Sequence, residues 1–143
     1  MTRAPLPPFH LAIPVHDIEA ARRFYGEVLG FPRGRSAERW TDWNVEGHQV
    51  VTHQVDGYPR AAAGTNQVDG HDVPVPHFGL VLSVTRFQEL ANQLTAAGTE
   101  FVIDPHVRFQ GEPGEQWTMF FLDPSGNALE FKAFRDISGL FAV

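Results

Sequence analysis

The chain contains no cysteine, which excludes a disulfide framework, a thiolate metal site and a cysteine nucleophile, so any metal must rely on nitrogen and oxygen donors. It is also poor in basic residues. Eleven Lys and Arg stand against 17 Asp and Glu, a formal net charge of −6, and the cations are scattered. Nucleic acid and anionic membrane surfaces need clustered Lys and Arg, so neither is an expected partner. Long apolar runs are missing as well. No stretch approaches the roughly 20 apolar residues that span a bilayer, and Met1 to Pro8 lacks an apolar signal core. These absences point to a cytoplasmic protein. What remains is an ordinary folded composition, 43% hydrophobic and 20% charged, and 143 residues suit one domain.

The order of the chain reveals a repeated grammar. Phe9 to Val15 reads as a strand, Asp17 offers a helix cap, and Ile18, Ala21, Phe24, Tyr25, Val28 and Leu29 recur at helical spacing until Gly30 and Pro32 stop the helix. The second half repeats this with a strand His77 to Leu82, a capping-box pattern Thr85-x-x-Gln88, the apolar series Phe87, Leu90, Ala91, Leu94 and Ala97, and a stop at Gly98. His10 and His77 are separated by nearly the same number of residues as Gly30 and Gly98. Strand-like runs follow each helix: 39–45 and 48–55, then 100–103, 116–122 and 128–134, with turn chemistry at Glu46-Gly47 and Asp123-Pro-Ser-Gly126. The intervening 56–76 is rich in Gly, Pro, Asn and Asp without sustained periodicity and reads as a linker. Residues 135–143 read as a short arm that packs or crosses to a partner.

Seven histidines in an acidic chain raise the question of metal binding. A single histidine is more often a surface or structural residue, but His10 and His77 hold equivalent places at the heads of two repeats. Internal pseudosymmetry would bring them to one cleft. Glu130 alternates with Ala128 and Lys132 along one face of its strand, while Leu129 and Phe131 take the other. As a surface position it is unremarkable; beside two imidazoles it is the anionic third donor. Two His and one carboxylate form a facial set with open positions on Fe(II), and the same donors suit Mn, Ni, Co or Zn. The stretch Asp104 to Trp117, with two Pro and two Gly, reads as a loop and possible rim. There Arg108 would pair an anionic substrate while Phe109 or Trp117 covers its apolar part. An ordinary solvated connection is the competing reading. Trp40 and Trp43 read as core or wall.

Val15-His-Asp17 with Ala20-Ala-Arg-Arg-Phe-Tyr25 and Val28-Leu-Gly-Phe31, then Phe121-Leu-Asp-Pro-Ser-Gly-Asn-Ala-Leu-Glu-Phe131, resemble the paired motifs of the glyoxalase, bleomycin-resistance and extradiol-dioxygenase superfamily, the vicinal oxygen chelate proteins. The resemblance implies an α+β fold of two βαβββ modules, about 9–55 and 77–134, whose mixed sheets form a cup around a metal site within one domain. It implies His10 and His77 as first-strand ligands, Glu130 as last-strand ligand, one divalent metal with Fe(II) favoured, a small-molecule substrate and a homodimer. The fourth quasi-equivalent position, where isomerases of the family carry Glu, Gln or His, falls on Val51 when Gly47 is aligned with Gly126. His53 lies two residues on and faces the same way, leaving it open as a fourth ligand or as the acid/base group, a role for which His48 and His106 also stand as candidates. Phe120 occupies the place of a tyrosine common in ring-cleaving relatives. The implied activity is a metal-dependent oxidoreductase similar to extradiol dioxygenases, acting on a vicinal diol-like or catechol-like compound. A glyoxalase- or epimerase-like isomerase or lyase and a non-catalytic drug-sequestering protein are the alternatives.

Overall fold

A computed structural model describes residues 5–58 and 64–143. The chain forms two compact units, Met1–Pro59 and Arg60–Val143. The architecture is α+β, and each unit carries one copy of the expected strand–helix–three-strand order.

In the first unit, β1 (His10–Val15) leads into α1 (Ile18–Arg22). The Asp17 carboxylate accepts from the N–H groups of Glu19 and Ala20 at 3.0 and 3.2 Å, satisfying donors that the first turn leaves orphaned. The helix continues as a wider π-helical turn, Arg23–Val28, and ends at Gly30 with φ 74°. Then come β2 (Arg33–Ala37), β3 (Trp40–Val45) and β4 (His48–Gln54). The sheet order is β1-β4-β3-β2, with β1 parallel to β4 and the other pairs antiparallel. Glu46 and Gly47 both take positive φ, as a two-residue type I′ hairpin turn requires. Trp43 is the centre of this core: its Nε1–H donates to Thr52 Oγ1 at 3.1 Å. A Cβ on Gly26 would lie 3.1 Å from the indole, so the missing side chain lets the helical segment settle directly on the ring. β2 is exposed throughout and has no apolar alternation, which is why periodicity does not reveal it.

The second unit opens with a hairpin, β5 (Gly64–Val68) and β6 (His71–Val75). This corrects the expectation of a linker over 56–76 for residues 64–75, while 59–63 of that stretch lie outside the described residues. Asp69 and Gly70 form the two-residue turn, both at positive φ, and Asp-Gly is strong hairpin chemistry even without flanking periodicity. Val73 is buried against Ile103 and Phe120, which fastens the hairpin to the main sheet. That sheet contains β7 (His77–Phe78), β8 (Val81–Leu82), β9 (Phe101–Arg108), β10 (Gln116–Leu122) and β11 (Ala128–Phe134). Its order is β7-β11-β10-β9, with β8 also on β11, the same wiring as the first unit.

The single strand expected at 77–82 is interrupted at Gly79 and Leu80, yet the pairing offset to β11 is identical on both sides of the gap. The helix α2 (Val84–Ala96) is capped by Ser83, whose Oγ accepts from Arg86 N at 3.1 Å, rather than by Thr85. Its buried face is Phe87, Leu90, Ala91 and Leu94, as the spacing predicts. Thr99 N–H donates to Leu94 O at 3.1 Å with Gly98 at φ 78°, a Schellman end that leaves Ala97 as the cap rather than a core residue. Residues 104–108, expected in a loop, extend β9 instead; β9 is the outer strand, where Pro105 interrupts no inner ladder. The terminal residues form a 3₁₀ turn, Ile137–Phe141, capped by Asp136. Hydrogen bonds from the Ser138 hydroxyl and N–H hold the Asp136 carboxyl below its usual range. Among the described residues no helix is long and apolar enough to cross a membrane.

Candidate metal centre

His77 and Glu130 are brought together by parallel pairing of β7 with β11, in which His77 lies opposite Ala128 and Phe78 opposite Leu129. The continued offset sets Gly79 against Glu130. A Cβ at Gly79 would fall 1.6 Å from the Glu130 carbonyl oxygen, so the strands approach this closely only because position 79 has no side chain. The Nε2 of His77 lies 3.3 Å from Glu130 Oε1, with the two side chains 29% and 11% exposed. A carboxylate that is nine-tenths covered needs compensation. It receives one hydrogen bond from Thr118 Oγ1 to Oε2 at 2.5 Å, and the Lys132 ammonium stands 4.0 Å from Oε1.

The tautomer of His77 follows from its other nitrogen. Nδ1 lies 2.7 Å from the Pro74 carbonyl oxygen, which only accepts, so Nδ1 carries the proton and the Nε2 lone pair is directed at the carboxylate. An imidazole nitrogen and a carboxylate oxygen at that separation are placed to share one cation. A backbone carbonyl on the far nitrogen is also the usual outer support of a metal-ligating histidine. Imidazole and carboxylate together suit Fe, Mn, Ni, Co or Zn. Within this unit, among the described residues, no third His or acidic side chain joins them in a metal cluster.

His10 belongs to the first unit. It pairs in register with Gln49 and its Nδ1 meets Gln49 Oε1 at 2.8 Å; with that oxygen accepting, Nε2 is again the free donor atom. His53 is exposed on β4, its ring 6.4 Å from Trp40. Its neighbour two residues back, Val51, is buried. His48 accepts from the Phe9 N–H at 2.9 Å through Nδ1.

A cavity of about 170 Å³ opens beside the His77–Glu130 pair, within the second unit, and Phe120, Thr118, Lys132, His71, His106 and Arg108 contribute to its wall. Phe120, singled out from sequence, meets the His77 ring edge-on with centroids 5.0 Å apart. Arg108 reaches the wall, but its guanidinium is paired with Asp69 in the hairpin turn and lies over the Phe109 ring. Trp117 lines a separate groove with Phe87, Gln88 and Ala91 of α2. Three contributors that sequence reasoning passed over are Thr118, Lys132 and His71. Thr118 carries no signal beyond its place in a strand. His71 could have been found from the Asp69-Gly70 turn, which folds the segment back.

A family model described as the Glyoxalase/Bleomycin resistance protein/Dioxygenase superfamily matches residues 8–131. A virulence protein of Salmonella typhimurium is 27% identical over 130 residues, covering 87% of this chain and 82% of that protein. The crystal structure of a glyoxalase/bleomycin resistance protein/dioxygenase from Alicyclobacillus acidocaldarius is 32% identical with a TM-score of 0.77, covering 98% of this chain and 100% of that one. A genomically encoded fosfomycin resistance protein from Listeria monocytogenes shares the fold at 15% identity and a TM-score of 0.67, with 96% and 98% of the two chains covered.

Proposed function

Because the chain belongs to the glyoxalase/bleomycin resistance protein/dioxygenase superfamily, whose members typically bind a divalent metal, we propose that it is a metal-dependent oxidoreductase acting on a small vicinal diol-like or catechol-like compound. The observation that carries this reading is the His77–Glu130 pair, two donors 3.3 Å apart with the imidazole tautomer fixed from behind by Pro74. Two donors make an incomplete site. His10, at the head of the other module and with its Nδ1 held by Gln49 so that Nε2 is left over, supplies the third, from the same chain or from a partner in a homodimer. The fourth equivalent position is Val51, which has no donor atom, and this favours a three-ligand set with room for substrate and dioxygen over a four-ligand isomerase set.

When bound, Fe(II) in such a set supplies Lewis acidity toward a substrate hydroxyl and redox chemistry toward dioxygen. The chain's residues do the rest. Thr118 holds the Glu130 carboxylate in one orientation, Pro74 holds His77, and Phe120 closes the His77 side against water. Lys132 offers a positive charge to an ionised substrate oxygen, and His53 takes up the proton released in forming that anion. Phe120 has no hydroxyl, so any hydrogen bond to the substrate comes from elsewhere in the wall.

The test is anaerobic purification, metal analysis and oxygen uptake with Fe(II)-, Ni-, Mn- and Zn-loaded protein on catechols and α-oxo hemithioacetals. Oxygen consumption with Fe(II) alone is the expected result. Isomerisation without oxygen uptake would replace the oxidoreductase reading by a glyoxalase-like one, and a chain that binds no metal would overturn both.

A further inference from the structure

Two histidines in the cavity wall take no part in the metal pair. His71 is on β6 of the hairpin and His106 on β9, with β10 separating β9 from the strand that carries Glu130. Their rings lie 5.1 Å apart, tilted by 38°. The Nδ1 of His106 donates to the Asp104 carbonyl at 2.9 Å, which leaves its Nε2 uncommitted. Among the described residues, the His71 side chain makes no hydrogen bond or ion pair, only this ring contact. The other polar groups are already engaged: Arg108 with Asp69, and Glu130 with Thr118, His77 and Lys132.

We propose that His71 and His106 form a second ligand-binding point, which takes the carboxylate of a compact ligand about one ring in size. The two uncommitted imidazoles select the ligand group. The wall's cationic and proton-accepting side chains are His71, His77, His106, Arg108 and Lys132, while Glu130 is its single acid; the acids on the neighbouring turn and strands are Asp69, held by Arg108, Asp72, held by Gln67, and Asp104, exposed on β9 two residues before His106. A carboxylic acid that gives its proton to His106 Nε2 leaves an imidazolium–carboxylate pair beside the two rings, a charge-assisted hydrogen bond that a neutral ligand cannot form. A dianion of the phosphate type is matched best by a guanidinium fork, and Arg108 is already paired with Asp69. Size follows from volume: an apolar cavity near 150 Å³ takes up benzene, and this one measures about 170 Å³. Val68, Val73, Ile103 and Phe120 supply the apolar wall for the ring. The hairpin makes the site possible, since it alone delivers His71.

This inference concerns the same cavity as the proposed activity but needs no metal, and it is tested on the full chain after chelation. Benzoate and its neutral counterpart benzyl alcohol are titrated calorimetrically into the wild type, His71→Gln and His106→Gln. Benzoate is expected to bind the wild type about tenfold more tightly, one hydrogen bond to a charged group, and either variant to lose that preference. Equal affinity for the two probes in the wild type, or an undiminished preference in His71→Gln, would overturn the proposal. His71 is exposed, so that variant folds. A readout free of variants is the imidazole carbon-bound proton shifts of His71 and His106 in the wild type, which must move with benzoate; stationary shifts refute the site. Metal content is measured on parallel unchelated samples. A chain that discriminates benzoate yet binds no metal sustains this site while defeating the metal reading.

Discussion

Val51 occupies in the first sheet the place that Glu130 occupies in the second. His10 pairs with Gln49 on β4 and His77 with Ala128 on β11, so two residues further along each last strand lie Val51 and Glu130. One carries a donor, the other a buried isopropyl group. Val51→Glu is therefore expected to add a fourth ligand. Without metal it buries an uncompensated carboxylate and lowers the melting temperature; with excess Mn or Ni the loss is recovered, and oxygen-dependent turnover falls. A variant whose melting temperature ignores metal would refute the equivalence as a ligand position.

Gly79→Ala tests the backbone contact behind Glu130. Its Cβ would meet the Glu130 carbonyl at 1.6 Å, and a backbone atom has little freedom to yield. Overpacking typically costs about 1–3 kcal/mol, and this substitution belongs at the upper end, lowering the melting temperature by roughly 10 °C. Metal affinity should fall in parallel, because relief of the clash pries β7 from β11. Thermal denaturation and metal titration together decide it; a stable variant with intact metal affinity would show that the strand spacing is not what sets His77 against Glu130.

The proposed ligands and their support should separate in degree. His77→Ala and Glu130→Ala remove donors, and the chain is expected to stay folded while metal binding is lost. Thr118→Val removes only the hydroxyl that steadies Glu130 Oε2, and outer-shell losses of this kind weaken metal binding about 10–100-fold. Affinity measured by competition with a chromophoric chelator distinguishes the two classes. Unchanged metal content in both alanine variants would defeat the assignment.

Asp69→Asn isolates the ion pair that joins the hairpin turn to Arg108. Asn tolerates the positive φ of this position, so the turn survives. A half-exposed pair contributes about 0–1 kcal/mol to global stability, and the overall melting temperature should barely change. Local opening should become easier, seen as faster amide hydrogen exchange across 65–75 while the rates in β10 and β11 stay fixed. Equal rates in variant and wild type would leave Val73 as the hairpin's real anchor.

The parts of the fold legible in the sequence were those governed by short-range rules. Asp17 before an apolar periodic run capped a helix as expected, and the Glu46-Gly47 turn formed the expected hairpin. The α2 face appeared with its spacing intact. Ser83 displaced Thr85 as the cap because either hydroxyl satisfies the local pattern and only the helix start decides between them. The misses depended on partners far along the chain. Nothing near Arg33–Ala37 announces a strand, because its pairing with β3 rather than its own side chains makes it one. Thr118 matters only through β10–β11 register, and the Arg108 partner became visible only once the hairpin folded back. The two histidines proposed as ligands stand out in the sequence because they repeat; Glu130 and the supports do not repeat, and only register brings them together.

The shared register of the two sheets has an engineering consequence. If the modules arose by duplication, the two copies have since divided their labour, and a chain assembled from two copies of the second half would inherit two His–Glu pairs, whereas one assembled from two copies of the first would inherit a histidine and a valine twice. The choice between these hybrids turns on a single side chain, which makes position 51 the place where an ancestral, fully duplicated chelating scaffold would be rebuilt or erased.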